Sequence, residues 1–301
     1  MADLSTTTDF EPSEERKELR FRQLKEIWRR MAKNKPAMFG LFILVVFVLL
    51  ALFADVIADY DTVVIKQNGM MRLKPPSAQH WFGTDAFGRD IFARIVHGAR
   101  ISLTIGIVTT SVAVFIGGLV GAAVAYWGGK FDIIVMRFCD IMSCIPTMLM
   151  ALAIVAALGP SMMNLLIAII CTNIPIYIRF IRSTVLTIVD QDYIEAARAC
   201  GTGDFRIIRK HILVNVMGPI IVQATQSIAA MILTAAALSF LGMGVQPPQP
   251  EWGSMLSDSR EYMRTSPYMM FFPGMAIVLS ALSLNLLGDG LRDAIDPRLK
   301  S

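Results

Sequence analysis

Charge is scarce along this chain: Asp, Glu, Lys and Arg make up 17% of its 301 residues, apolar types make up 54%, and the mean hydropathy is +0.55. That balance excludes an ordinary soluble domain and points to an all-α membrane protein. Cysteine is sparse too. Cys139, Cys144, Cys171 and Cys200 lie in apolar runs or a polar loop without C-x-x-C spacing, so they read as small buried apolar residues with no disulfide framework. The three histidines, His80, His97 and His211, are far apart and read as surface residues of loops; there is no H-E-x-x-H. No phosphate loop of the G-x-x-x-x-G-K-[ST] kind occurs, since Gly128-Gly129-Lys130 lacks its spacing and hydroxyl, and G-x-S-x-G is absent. The chain is therefore not expected to be an enzyme or to hold a cofactor or metal. A net charge of +4 gives no footing for nucleic acid. The deep parts of the apolar runs lack ionisable residues, which disfavours the proton relay of a secondary carrier. The polar N-terminus shows no short apolar core, so no removable signal peptide is expected.

What the chain has in quantity is apolar length. About 20 apolar residues cross a bilayer as a helix, and on that measure six transmembrane helices are predicted, over about 36–57, 101–126, 141–158, 162–180, 216–243 and 267–288. Gly159-Pro160 separates the third from the fourth. Residues 1–35 form a cytosolic segment, polar at first and then, from Ser13, a basic amphipathic helix with Leu19, Leu24, Ile27, Trp28 and Met31 near one face, suited to membrane lipid. Residues 36–301 form the transmembrane domain, whose outer loop over 58–100 is long enough to fold as a small cap. Of the 28 Lys and Arg residues, 20 fall in segments 1–36, 130–140, 179–215 and 289–301. The positive-inside rule then puts both termini, and the loop over 182–215, in the cytosol.

That loop interrupts the apolar pattern. Asp192 is a candidate N-cap with Glu195 three residues on, Ala196, Ala197 and Ala199 favour helix, and Gly201 supplies a turn. Beyond it Phe205, Ile208 and Ile212 recur at helical spacing, opposite Arg206, Arg209 and Lys210. A helix-turn-helix lying against the membrane is predicted, presenting a knob to the cytosol. On the residues alone it also suits a pair of interfacial helices gripping anionic headgroups. Within the spans, Asn173, Gln223, Gln226 and Asn285 either bond to neighbouring helices or line a passage. Pro146, Pro175, Pro219 and Pro273 are candidate kinks. Gly106, Gly117, Gly118, Gly121, Ala122 and Ala125 let the second span pack closely.

Glu195-Ala196-Ala197, three residues, Gly201 and then Leu213 resemble the EAA loop of ATP-binding-cassette importer permeases. Of that loop's later Ile-x-Leu-Pro element, His211-Ile212-Leu213-Val214 keeps only Leu213. Three further stretches are similar to the dipeptide, oligopeptide and nickel branch of these permeases. They are Gly83-Thr84-Asp85 with Gly88-Arg89-Asp90, Arg94 and Gly98 to Leu103; Leu241 to Pro248 with Glu251-Trp252-Gly253; and Asn285 to Asp293 with Asp296-Pro297. Position 93 is Ala where the family often has Ser. The resemblance implies the six-helix bundle of a type I importer permease in a bacterial cytoplasmic membrane. It further implies a coupling helix, carried by Glu195, Ala196, Ala197, Arg198, Gly201 and Asp204, that docks on a separate ATPase. The implied partners are a second homologous permease, two ATPase subunits that hold the ATP and magnesium, and an extracytoplasmic peptide-binding protein. Short peptides are the implied cargo, with nickel, glutathione or another small solute as the alternative. A carrier or channel needing no ATPase is the reading from a different class.

Overall fold

A computed structural model of the chain describes Arg22 and residues 25–295, so the polar start, most of the expected N-terminal helix and Asp296-Pro297 lie outside the described residues. Residues 25–33 are helical, and Met31 packs with Ala37 and Ala294. The helices that follow are α1 (Lys35–Leu52), α2 (Ala54–Ile57), α3 (Ile91–Trp127), α4 (Gly129–Cys144), α5 (Thr147–Leu158), α6 (Met162–Leu186), α7 (Asp192–Ala199), α8 (Asp204–Ile207), α9 (Leu213–Phe240), α10 (Trp252–Ser259) and α11 (Tyr268–Ile295). The chain is all-α: among the described residues the one β contact is an isolated bridge between Thr84 and Asp90.

Helices α1, α3, α6, α11 and the continuous run Asp204–Phe240 are long and apolar enough to cross a membrane, and α4 and α5 are so only when taken together as one bent pair. The boundaries shift from those read off the apolar runs: α1 stops at Leu52, α6 runs to Leu186, α11 to Ile295, the fifth apolar run starts at Asp204, and two further differences have a clear cause. Helix α3 begins ten residues before the uncharged stretch at 101, because the Asp90 carboxylate accepts from Ala93 N at 2.8 Å and caps the helix there. The predicted span over 141–158 is broken at Ile145-Pro146, where α4 and α5 meet at 86°. Residues 141–144 continue an amphipathic helix instead, which ends where Ile145, before Pro146, takes the extended backbone that a following proline favours.

Helix α3, 37 residues long, is the spine of the bundle. A Cβ at Gly117 would stand 2.5 Å from the Tyr177 Cβ, and one at Gly121 would stand 2.7 Å from Ile178 O, so only glycine lets α3 and α6 approach as they do. Near the start of α3, Trp252 is fully buried among Phe47, Ile95 and Met255 and donates to Ile95 O at 3.1 Å. Near its other end Ile181, Ile194, Ile207 and Ile212, all fully buried, fill a second core.

The structure corrects two expectations about reactive side chains. Cys139 is buried but Cys144 and Cys200 are exposed; all four cysteines are free thiols. His97 is not in a surface loop: it lies in α3, 3% exposed, with Nε2 2.8 Å from Ala58 O.

Candidate functional site: a knob and a polar cavity

The knob is α7, the turn at Gly201 and α8. Helix α7 starts after Gln191, so Asp192 is its first residue rather than its cap, and no side chain caps it by a hydrogen bond. Asp192 and Glu195 still place acidic charge in the first turn, where the helix dipole favours it. Gly201 has φ +74°, in the left-handed region that a residue with a Cβ adopts only at a cost, and the space around it is open. Glu195, Ala196, Arg198 and Gly201 are exposed, whereas Ala197 is half-buried against the apolar core beneath.

The second half of the knob is not a separate helix. Asp204–Ile207 continues through one π-helical turn, Ile208–Ile212, directly into α9. The wider turn carries an extra residue and shifts the helical phase. Ile207, Ile208 and Ile212 therefore point inward and Phe205, expected on the apolar face, is 71% exposed. Arg206, Arg209 and Lys210 are exposed as read. Asp204 is held from outside the knob: the last two residues of α3 donate to its carboxylate, Tyr126 Oη at 2.8 Å and Trp127 Nε1 at 3.2 Å. The Arg198 guanidinium lies 4.6 Å from the Tyr126 ring centroid.

The four amides separate. Asn173 is 5% exposed and donates to Ile169 O at 2.7 Å within its own helix, so it stabilises α6 and faces no opening. Gln223 and Gln226 line a cavity of about 560 Å³ together with Phe180, Asn215, Pro219 and Arg292. Gln226 also donates to Asp289 Oδ1 at 2.8 Å. Asn285 is exposed one helical turn before Asp289 and does not line that cavity.

At the opposite end, the segment between α2 and α3 folds as a cap on buried charge. Arg89 Nε donates to Asp85 at 2.7 Å, Arg94 Nε lies 3.7 Å from the same carboxylate, and Arg94 Nη1 donates to Val64 O at 3.2 Å. Glu251, 1% exposed, accepts from Gly253 N and Ser254 N and so caps α10. Burial pushes the Glu251 carboxyl above its ordinary value, and the two backbone donors oppose that rise.

Residues 113–301 match the family described as binding-protein-dependent transport system inner membrane component, and residues 22–76 match the N-terminal transmembrane domain of oligopeptide transport permease C. The chain belongs to this family. It is accordingly a multi-pass inner membrane protein. It is 48% identical to a dipeptide transport system permease protein of Alkalihalophilus pseudofirmus over 92% of this chain and 90% of that one. Identity to a di/tripeptide transport system permease protein of Pseudomonas aeruginosa is 44%, over 92% and 93%. A glutathione transport system permease protein of Escherichia coli shares 42%, over 91% and 90%. In fold, the chain is similar to one from the inward facing MetNI methionine ABC transporter, with a TM-score of 0.56 and 18% identity over 68% of this chain and 98% of that one.

Sequence reasoning missed Tyr126, Trp127, Arg292 and the Asp85–Arg89–Arg94 network as site residues. The two aromatics read only as the end of an apolar run, because their partner Asp204 is 78 and 77 residues away. Asp85 and Arg89 meet across a non-helical turn in which Gly88 has φ +74°, so helical spacing gave no signal of the pair.

Proposed function

We propose that this chain is a transmembrane subunit of an ATP-driven importer of short peptides. In that reading it pairs with a homologous permease, two ATPase subunits engage the pair from the cytosol, and an extracytoplasmic binding protein delivers the peptide. ATP and magnesium belong to the ATPase subunits. The observation that supports it best is the knob itself: Glu195 and Ala196 stand exposed beside a left-handed Gly201, on a chain 48% identical to a dipeptide permease along nearly its whole length. Both termini and the knob lie on the cytosolic side in this reading, in keeping with the excess of Lys and Arg there. The Ala196 surface permits close approach of a partner and Glu195 offers it a charge. Closure of the ATPases then displaces the knob and switches the bundle between its two openings. The cavity at Gln223 and Gln226 supplies part of the passage, where amides can exchange bonds with a peptide backbone. Glutathione, a modified tripeptide, fits the same passage and is the second reading, favoured by the 42% identical relative.

The test is uptake of a labelled dipeptide into vesicles containing the whole assembly. Uptake should require ATP, the ATPase subunits should co-purify with this chain, and Glu195→Lys or Gly201→Val should uncouple hydrolysis from uptake while the protein remains inserted. Full uptake by both variants, or uphill uptake by this chain alone, overturns the reading.

A further inference from the structure

Asp204 sits exposed in the knob, and both oxygens of its carboxylate accept from the end of α3, from Tyr126 and from Trp127. Arg198 closes the group, with Nε 3.3 Å from Tyr126 Oη and its guanidinium over the Tyr126 ring. Among the described residues these are the polar contacts that join the knob to α3. The remainder of the attachment is the continuity of α8 with α9, a hydrogen bond from Asn215 Nδ2 on α9 to Tyr193 Oη at 3.2 Å, and an apolar cluster of Ile194, Ile207 and Ile212 with Val185 and Val189. Apolar burial is non-directional, so it leaves the orientation of the knob relative to α3 to the polar contacts. A carboxylate gripped by two donors, with a cation stacked on one of them, fixes direction as well as distance.

The element gripped is α3. At about 1.5 Å per residue its 37 residues span roughly 55 Å. Its far end carries Arg94 and Ser102, which are bonded into the cap through Asp85, Val64 and Glu251. Resting on the function proposed above, we propose that Tyr126, Trp127 and Asp204 are positioning residues. They fasten the knob to α3, so that a push on the Glu195 surface becomes a rigid displacement of α3 and reaches the cap. On this view Asp204, which the family resemblance places with the ATPase-docking residues, acts through α3 and not by touching the ATPase.

The experiment uses the complete assembly in vesicles, with Tyr126→Phe, Asp204→Asn and the double variant. Tyr126→Phe keeps the ring beneath Arg198 and removes the hydroxyl that donates to Asp204 and accepts from Arg198 Nε. The readouts are ATP hydrolysed per dipeptide imported, the unfolding midpoint, and recovery of the ATPase subunits with this chain. A charged contact exposed to water supports up to about a five-fold change, so each single variant should raise ATP per dipeptide several-fold, up to about five-fold. Midpoint and ATPase recovery should stay at wild-type values. The double variant should be no worse than the worse single one, because both act on one contact. An unchanged ratio in both single variants overturns the clamp, as does a defect that merely follows a lowered midpoint, or loss of ATPase recovery in Asp204→Asn. If the wild-type assembly imports no dipeptide, the function reading falls and the clamp falls with it. If the wild-type works and the variants work equally well, only the clamp falls.

Discussion

The cap end of the bundle keeps its charge inside, where Arg89 and Arg94, 3% and 2% exposed, meet Asp85, and Glu251 is sealed beneath α10. The knob end does the reverse. It buries Ile194, Ile207 and Ile212 completely and leaves Glu195, Arg206, Arg209 and Lys210 exposed. Buried charges demand exact partners, because an ion left unmatched in a dry interior costs several kcal/mol. Apolar contacts tolerate small shifts without any such penalty. The cap is therefore built to hold one arrangement of helix starts, and the knob presents a polar surface over an apolar seat.

The largest expected effect comes from breaking the cap. Asp85→Ala takes the nearer carboxylate from buried Arg89 and Arg94, leaving Arg89 only Asp258 at 3.7 Å, and removes acceptors for Phe87 N and Arg89 N. It should destabilise the protein by about 3–5 kcal/mol, measured by denaturant unfolding in detergent. The equivalent change at the knob, Asp204→Ala, should shift unfolding far less, because that carboxylate is exposed to water. Equal losses at both ends would erase the contrast.

A pH titration sharpens it. Burial raises the Glu251 carboxyl above its ordinary 4.5, so the folded state holds this proton more tightly than the unfolded chain does. That stabilisation is complete below 4.5 and is lost as pH rises through the folded-state value. Glu251→Gln keeps an acceptor for one cap bond and cannot ionise. Its unfolding free energy should therefore decline less steeply above pH 4.5 than the wild-type's. A parallel decline in the two proteins would mean that Glu251 is not the group responsible.

Much of this architecture was legible in hydrophobic runs. Five long apolar helices follow directly from segments that lack charge, and the small residues at 106, 117 and 121 gave the seam of α3 in advance. What escaped depended on partners distant in sequence. In the sequence His97 reads as a surface residue and Arg94 has no visible buried partner, and only the folded cap supplies Asp85, Val64 and Ala58 to receive them. The Ala-rich α7 and the glycine turn of the knob were readable from local propensity. The grip of α3 on Asp204 was not, since nothing in the neighbourhood of Tyr126 points to a residue in another loop. The π-helical turn escaped as well, because a periodicity of 3.6 assumes an unbroken helix, and one extra residue was enough to turn Phe205 outward.

Phe205 gives the smallest expected effect on stability and the sharpest distinction between the two ends. Its ring is 71% exposed at the tip of the knob and belongs to none of the apolar cores. Removing it should change unfolding by less than about 0.5 kcal/mol, as for other surface positions. An exposed aromatic beside Arg206, Arg209 and Lys210 nevertheless has the composition of an interface anchor. Phe205→Ala should therefore weaken recovery of the ATPase subunits with this chain by about ten-fold or more, with peptide uptake falling in step. If the variant unfolds readily, Phe205 is part of the core after all. If ATPase recovery is untouched, the handling surface of the knob lies on the Glu195 side alone.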